Sequence, residues 1–288
     1  MSYENPEVPN EVNVARVDPL VEFLQLAAGL LVALALAGAA LYFAGEHLAR
    51  RLPFELERRW VGERVIGFEP LLRHGDPQAT EIEGYLQRLA QGLSATLRLP
   101  DTMRVTLHYA EVDEPNAFAT LGGHVVVTRG LYARMPSENA LATVLAHEIG
   151  HVRARDPIAA LGGGASLALL AALLGGDAQS LAPQVAALVQ RGYSREAERL
   201  ADEAALEALE RFYGHAGGAA EVFRRIGAAG AGASRLPTLL STHPADAERI
   251  ARLESAAEGW DPAVQPLRPL AVPIHAALPP AGAATTPR

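Results

Sequence analysis

The chain has 288 residues, 25 basic and 33 acidic side chains, a formal net charge of −8 and 49% hydrophobic residues, a composition that supports a packed core and excludes wholesale disorder. The acidic balance argues against nucleic acid as a partner, because there is no basic surplus to neutralise phosphates. The absence of cysteine excludes a disulfide scaffold, a cysteine-ligated metal and a cysteine nucleophile.

The first predicted element is a membrane anchor at residues 20–45, after a polar N-terminal segment of residues 1–19. Residues 26–45 carry no charge and are mostly Leu, Ala and Val. At 1.5 Å per residue they form a helix about 30 Å long, which matches the hydrocarbon thickness of a bilayer. A core helix and a cleaved signal peptide are the alternatives. The segment is apolar all round, however, and acidic residues outnumber Arg16 in front of it, where a signal peptide is basic.

Arginines on the two sides of the anchor indicate its orientation. Only Arg16 precedes it, whereas five arginines follow within the first 20 residues, namely Arg50, Arg51, Arg58, Arg59 and Arg64. The positive-inside rule therefore predicts a single-pass protein of the bacterial inner membrane, with the body of the chain in the cytoplasm. A periplasmic body is the alternative.

After a linker at residues 46–77, the sequence changes from helical to strand periodicity. Four apolar residues at helical spacing predict an amphipathic helix at residues 78–97; they are Ile82, Leu86, Leu89 and Leu93. Apolar and polar residues then alternate around Leu107. Two β-prone runs at residues 117–121 and 124–128, separated by two glycines, predict a β-hairpin.

The second half of the chain is predicted to be mainly helical. Ser137 caps a helix that runs to about Arg155 and ends at Asp156-Pro157. Further helices are predicted at residues 183–210, where Gly192 divides or kinks the pattern, and at residues 245–257. Proline and alanine then dominate without periodicity, so residues 259–288 are predicted to be a disordered tail.

The Ser137 helix carries the pattern His-Glu-x-x-His. His147 and His151 are four residues apart, so both imidazoles face one side of the helix and can bind one metal ion, with Glu148 next to them. Neutral imidazoles suit Zn²⁺, and a catalytic zinc keeps one position open for water. The alternative is a pair of solvated or core histidines without a metal.

A third protein ligand is needed, and a later helix offers carboxylates one turn apart. Glu198 can bind the metal while Asp202 accepts a hydrogen bond from a ligand imidazole. Taken alone, such a pair is more typical of a solvated helix face.

Four ordered motifs lie between residues 115 and 250. They are Pro115-Asn116-Ala117-Phe118-Ala119 with Gly122-Gly123, His147-Glu148-Ile149-Gly150-His151, Tyr193-Ser194-Arg195 leading to Glu198 and Asp202, and Thr242-His243-Pro244 with Arg249-Ile250. Together they resemble the HtpX-like family of zinc metalloendopeptidases, which also contains the CaaX prenyl proteases and the Oma-type mitochondrial proteases. The many membrane spans of the prenyl proteases are not found here, which argues against CaaX processing.

The resemblance implies an α+β fold: a mainly helical, zincin-like metalloprotease domain at residues 78–258 with a small β-hairpin or antiparallel sheet, plus the membrane helix. It also implies one Zn²⁺ per chain, bound by His147, His151 and Glu198. Zinc lowers the pKa of its bound water far below that of bulk water, to about 7. Glu148 acts as general base, taking the proton as the water attacks a peptide carbonyl and passing it to the leaving amine.

Two further features have a functional interpretation and an alternative. His243 is assigned a catalytic role in stabilising the oxyanion; the alternatives are a fourth zinc ligand that silences the resting site, or a cap of the turn before Pro244. An edge strand at Asn116, Ala117 and Phe118 can bind an extended substrate by strand addition; the alternative is an ordinary core hairpin.

A second apolar run at residues 157–176 is also uncharged. The metal ligands lie on both sides of it and must meet, and the space before Arg191 is too short for a return span. We therefore predict that the run does not cross, but packs in the core or forms a lid or membrane-dipping element. Its three glycines, residues 162–164, argue against a continuous helix.

The sequence thus predicts a membrane-anchored zinc endopeptidase that acts on unfolded or membrane-proximal polypeptides in protein quality control. One alternative is a non-proteolytic, membrane-bound chaperone or binding module that retains a structural zinc, although such a site has no need for Glu148. Another is a zinc hydrolase for small molecules.

Overall fold

The computed structural model describes residues 18–62, 76–173, 192–230, 239, 243 and 247–273. The helices are α1 (Pro19–Arg50), α2 (Phe54–Val61), α3 (Pro77–Thr96), α4 (Arg129–Tyr132), α5 (Glu138–Ala154), α6 (Asp156–Leu173), α7 (Arg195–Tyr213), α8 (Glu221–Gly230) and α9 (Ala247–Ser255). The strands are β1 (Thr106–Ala110), β2 (Ala117–Ala119) and β3 (His124–Thr128). This mostly helical α+β fold with a small sheet confirms the predicted fold class.

Helix α1 contains the predicted anchor. Its 32 residues begin after Asp18, whose carboxylate accepts a hydrogen bond from the Leu20 N–H. Its apolar side chains are largely exposed within the chain; Leu26 is 68% exposed. In the described part of the chain, α1 is the one helix long and apolar enough to cross a bilayer. This helix suggests a single-pass membrane protein.

The sheet has the strand order β1-β3-β2. The predicted hairpin is present, because β2 pairs antiparallel with β3 and places Phe118 opposite Val126. Strand β1, however, pairs parallel with β3, with Leu107 opposite Val125. The sheet is therefore mixed rather than antiparallel throughout. Alternating residues reveal a strand, but not the neighbour with which it pairs or the direction of that neighbour.

The core lies between the sheet and helices α3, α5 and α7. The four apolar residues that predicted α3 are all buried in it. Helices α5 and α7 approach each other closely at Gly150, where an added Cβ atom would lie 3.1 Å from both the Ala201 Cα and the Ala204 Cβ. The glycine therefore sets the spacing of the two helices.

Two expectations about the second apolar run, residues 157–176, are wrong for helix α6. It is continuous through the glycine triplet, and it packs antiparallel along α1 rather than in the core. Gly162 lies against Gly45, and a Cβ atom on Gly162 would lie 2.5 Å from that of Ala49. The glycines thus serve close helix packing. The lid or membrane-dipping element remains a prediction; the rest of this run and the predicted helix before residue 192 lie outside the described residues.

The predicted disordered tail is wrong for residues 259–273. The Trp260 ring stacks on His215 with a centroid distance of 5.5 Å. The backbone N–H of Arg268 donates to the side-chain Oδ1 atom of Asn139 at 2.9 Å, and the Val272 carbonyl accepts from the Tyr132 hydroxyl at 2.5 Å. A segment without periodicity can pack in this way through backbone hydrogen bonds. Residues 1–17 and 274–288 lie outside the described part.

Candidate metal centre and active site

Helix α5 positions two imidazoles together. The Ser137 hydroxyl accepts a hydrogen bond from the Ala140 N–H at 3.1 Å and begins the helix, as the sequence predicts. His147 and His151 follow on one face, with their Nε2 atoms 3.1 Å apart. Both side chains are buried, so neither is a solvated surface histidine.

Helix α7 brings a carboxylate to the same point. Its first turn is capped by Ser194, whose hydroxyl accepts from the Ala197 N–H. Glu198, four residues after this cap, has Oε2 3.3 Å from the His147 Nε2 atom and Oε1 3.4 Å from the His151 Nε2 atom. The structure therefore brings together the three residues that the sequence predicts as ligands.

His243 joins the same group. Its Nδ1 atom lies 2.8 Å from the Glu198 Oε1 atom and 3.3 Å from the His147 Nε2 atom. We call His147, His151, Glu198 and His243 the metal group; all four are buried, and they offer donor atoms within 4.8 Å of one another.

The donor atoms fit zinc in both chemistry and spacing. Imidazole and carboxylate are zinc ligands, and tetrahedral bonds of about 2.0–2.1 Å place neighbouring donor atoms about 3.3–3.4 Å apart. The separations between His147, His151 and Glu198 are 3.1, 3.3 and 3.4 Å. The two separations to Glu198 come from its two different oxygens, and the three side chains face one another closely enough that zinc bound among them would be held by all three.

A second carboxylate on α7 orients one imidazole. Asp202 Oδ1 lies 3.0 Å from the His147 Nδ1 atom, so it accepts the ring N–H and leaves Nε2 free for a metal. Buried Arg249 donates to Asp202 at 2.7 Å and lies 3.1 Å from the Glu198 Oε2 atom. It also stacks on the Phe223 ring at 4.5 Å.

The contacts of Glu198 and Asp202 with their neighbours keep both carboxylates ionised. Burial raises the pKa of Glu198, but hydrogen bonds from His147, His151 and His243 outweigh burial and lower it. Burial likewise raises the pKa of Asp202, and its contacts with His147 and Arg249 lower it below the usual value. An ionised carboxylate is the form that binds a metal or holds an imidazole N–H.

Glu148 lies between the metal group and the sheet. It is fully buried, and its Oε2 atom accepts a hydrogen bond from the backbone N–H of Ala119 at 2.8 Å. Its Oε1 atom lies 3.5 Å from the His243 Nε2 atom and accepts no hydrogen bond from the described residues. A buried carboxylate with one unsatisfied oxygen beside a metal group is suited to bind and deprotonate a water molecule.

Strand β2 forms the edge of the sheet beside Glu148. Thr120 N–H donates to the His124 carbonyl, and Thr128 N–H donates to the Asn116 carbonyl. Because pairing groups alternate in an antiparallel ladder, the backbone of Ala117 and Ala119 points away from β3. Of the three predicted substrate-binding residues, only Ala117 therefore presents its backbone at the edge. Asn116 is bonded to β3, and Phe118 packs on the opposite face with Val126.

Leu239 and His243 lie near the start of this edge. The backbone N–H of Leu239 donates to the Pro115 carbonyl at 3.2 Å, and the N–H of His243 donates to the Leu239 carbonyl at 2.9 Å. Leu239 thus lies beside the start of β2, and it is bonded to His243, a member of the metal group. Ala117 is fully buried as a result of the packing around it.

Comparison with known proteins decides the family. Residues 80–257 match the model of peptidase family M48. The chain belongs to peptidase family M48. It is 34% identical to a protein named "Protease HtpX homolog" from Desulfatibacillum aliphaticivorans over 246 residues, covering 68% of this chain and 76% of that one. A "Protease HtpX homolog" from Salinibacter ruber is 30% identical over 230 residues, covering 67% and 79%.

A third relative is longer than this chain. The "Putative beta-barrel assembly-enhancing protease" of Vibrio cholerae is 32% identical over 161 residues, and the match covers 51% of this chain but 33% of that protein. The predicted resemblance to HtpX-like metalloproteases is confirmed, and the chain is a metalloprotease of this family with a group of side chains able to bind a metal.

Two residues contact the metal group of this M48 peptidase in ways that the sequence motifs do not predict. Asp156 marks the end of a helix in the sequence, yet its Oδ2 atom lies 2.8 Å from the His151 Nδ1 atom. Arg249 belongs to the last motif, and it contacts Glu198 and Asp202. The signal for Arg249 is a basic residue five positions after Pro244, whereas the local sequence carries no signal that Asp156 approaches His151.

Proposed function

We propose that this M48 peptidase is a membrane-anchored endopeptidase in which His147, His151 and Glu198 hold one Zn²⁺ per chain. The observation that carries the proposal is the spacing of their three buried donor atoms, with Glu148 beside them. When bound, zinc would polarise a water molecule and the carbonyl of the peptide bond to be cleaved.

The protein side chains then have defined tasks. Glu148 takes the proton from the attacking water and delivers it to the leaving amine. Its hydrogen bond from the Ala119 N–H holds the carboxylate at the edge of the sheet, close to where a substrate strand would lie. The outward-facing backbone of Ala117 pairs with an extended polypeptide by strand addition, which recognises backbone rather than particular side chains.

We propose that the described arrangement is a closed resting state. Of the two functional roles considered for His243, the 2.8 and 3.3 Å separations from Glu198 and His147 favour a fourth ligand. A position filled by His243 is not available to water. His243 is bonded to Leu239, which lies beside the start of the edge strand, so movement of these two residues would free both the metal position and the start of the substrate edge.

The substrate class is also a proposal. Recognition by backbone pairing suits unfolded chains, and an anchor that packs against α6 of the catalytic domain favours membrane-proximal polypeptides, which together indicate protein quality control. A relative whose name refers to the assembly of β-barrel proteins is consistent with this class. A non-proteolytic chaperone with a structural zinc is not favoured, because a structural site has no use for the buried carboxylate of Glu148.

Removal of the metal tests the proposed function. The full-length protein in detergent is expected to contain one zinc per chain and to cleave casein; 1,10-phenanthroline is expected to abolish cleavage, and added Zn²⁺ to restore it. Metal content is measured by atomic absorption and cleavage by release of soluble peptides. Cleavage that persists in the chelator after zinc has been lost would rule out the proposal.

The orientation of the anchor is tested separately. From the five arginines that follow the predicted anchor at residues 20–45, we expect the catalytic domain on the cytoplasmic side of the bacterial inner membrane. In sealed right-side-out vesicles, added protease should leave the domain intact, and it should degrade the domain after the vesicles are opened. Degradation in the sealed vesicles would place the domain in the periplasm.

A further inference from the structure

Two consecutive polar contacts connect the end of the membrane helix with the metal group. Arg50, the last residue of α1, donates from Nη1 to the Asp156 Oδ1 atom at 2.7 Å. The other oxygen of Asp156, Oδ2, lies 2.8 Å from the His151 Nδ1 atom. Asp156 and His151 are buried, at 3% and 0% exposure. Each carboxylate oxygen of Asp156 therefore has a partner: Oδ2 contacts His151, a proposed metal ligand, and Oδ1 accepts a hydrogen bond from Arg50 at the end of the anchor helix.

The approach of Asp156 to His151 depends on a break in the backbone. Residues five apart in a continuous α-helix point about 140° apart and do not meet. Arg155 lies between α5 and α6 in the left-handed conformation, with φ at 62°, and so turns Asp156 back toward the preceding helix. This conformation is unfavourable for a residue with a side chain.

The juxtamembrane helix α2 holds this turn in place. The buried guanidinium of Arg155 lies 2.8 Å from the Glu57 Oε2 atom and 5.2 Å above the Phe54 ring. Glu57 also accepts a hydrogen bond from the backbone N–H of Gly122, which follows the edge strand. The segment directly after the anchor therefore fixes the conformation that brings Asp156 to the metal group.

The contact between Asp156 and His151 has a clear function at a metal site. An imidazole that binds a metal through Nε2 must carry its proton on Nδ1, and an acceptor at Nδ1 fixes both the tautomer and the ring orientation. Asp202 makes this contact with His147. Asp156 makes the equivalent contact with His151, from a different helix and with its own arginine partner.

We propose that Asp156 is a positioning residue that holds the imidazole of His151 for metal binding, and that Arg50 holds Asp156, so that the end of the membrane helix completes the metal site. This inference rests on the proposed function, because it requires the metal group to bind zinc. It assigns α1 a second role besides anchoring, since the last turn of α1 supports the geometry of the catalytic centre.

The test measures metal binding by full-length Asp156→Asn and Arg50→Met proteins in detergent. The amide of Asn can accept from only one of the two donors and carries no charge. Zinc affinity is measured by competition with a chromophoric chelator, and ligand geometry by the visible spectrum after Co²⁺ is bound. The matched controls are Asp101→Asn and Arg51→Met, which remove the same groups at exposed positions.

We expect Asp156→Asn to weaken zinc binding by about 10–100-fold and to change the Co²⁺ spectrum, as for the loss of other carboxylates that orient metal-bound histidines. Arg50→Met should weaken binding several-fold, Arg50→Lys should restore part of the loss, and the controls should bind as wild type does. At saturating zinc, kcat should fall in Asp156→Asn while KM is unchanged, because the substrate edge is intact.

The outcomes separate this inference from the proposed function. A wild-type protein that binds no zinc would overturn the proposed function and the inference together. A wild type that binds zinc, with Asp156→Asn equal to it in affinity and Co²⁺ spectrum, would overturn the inference alone. Thermal unfolding in chelator reports on the fold of each variant. If Asp156→Asn does not fold, the zinc affinity of Arg50→Met becomes the test. An affinity equal to that of wild type would overturn the inference.

Discussion

Replacing Glu148 with Gln is expected to reduce casein cleavage by about 10²–10⁴-fold, which is the usual contribution of a general acid–base residue. The amide can still accept the hydrogen bond that Glu148 receives from the Ala119 N–H, so the fold and the edge strand should be retained. It cannot take a proton from the attacking water. Since Glu148 is not a member of the metal group, zinc content should stay at the wild-type value.

The matched control is Glu210→Gln, the same change at an exposed position of α7. Cleavage and zinc content are measured for the three proteins side by side, with thermal unfolding as a check on folding. A Glu148→Gln protein that keeps its zinc and cleaves casein as fast as wild type would remove Glu148 from the mechanism and favour the non-proteolytic alternative.

Replacing His243 with Ala is expected to increase cleavage and to weaken zinc binding. In the described arrangement His243 lies within the metal group, where it would take the fourth position around a bound zinc and leave no position for water. If that closed arrangement accounts for nine tenths of the molecules, its loss raises the reactive fraction, and thus the cleavage rate, about tenfold. Zinc affinity should fall, because one donor atom is lost while His147, His151 and Glu198 remain.

The control is His47→Ala, which removes an exposed imidazole near the end of α1. The cleavage rate at saturating zinc and the zinc dissociation constant separate the possible roles of His243. A fall in cleavage with zinc binding retained would assign His243 to stabilisation of the oxyanion instead. If neither quantity changed, His243 would be only a residue of the turn before Pro244.

The local parts of the fold and site were predictable from the sequence. The approach of His147 to His151 follows from helical periodicity, and the Ser137 cap fixes where that helix begins. Helical periodicity alone does not predict that Glu198 reaches the metal group, because a pair of carboxylates on a helix is usually solvated. The order of the motifs predicts Glu198 as a ligand through the family resemblance, and the packing of α5 on α7 brings this side chain to the two histidines.

The remaining features depend on contacts between residues far apart in the chain. Asp156 reaches His151 only because Arg155 adopts a left-handed conformation, which its buried contact with Glu57 supports. The continuity of α6 depends on α1, since the glycines that weaken an isolated helix allow close packing on Gly45. Residues 259–273 are held by partners such as Asn139, and the composition of this segment gives no sign of them.

The close contact at Gly150 has a consequence for the rigidity of the metal group. Ala201 and Ala204 lie opposite the glycine, so α5 and α7 meet almost backbone to backbone, and the donors on the two helices cannot move much further apart without losing this packing. Three of the four side chains in the group carry an imidazole, whereas Ca²⁺ takes six to eight oxygen ligands. We therefore expect the kind of donor atom, rather than the spacing of the donors, to favour zinc over calcium.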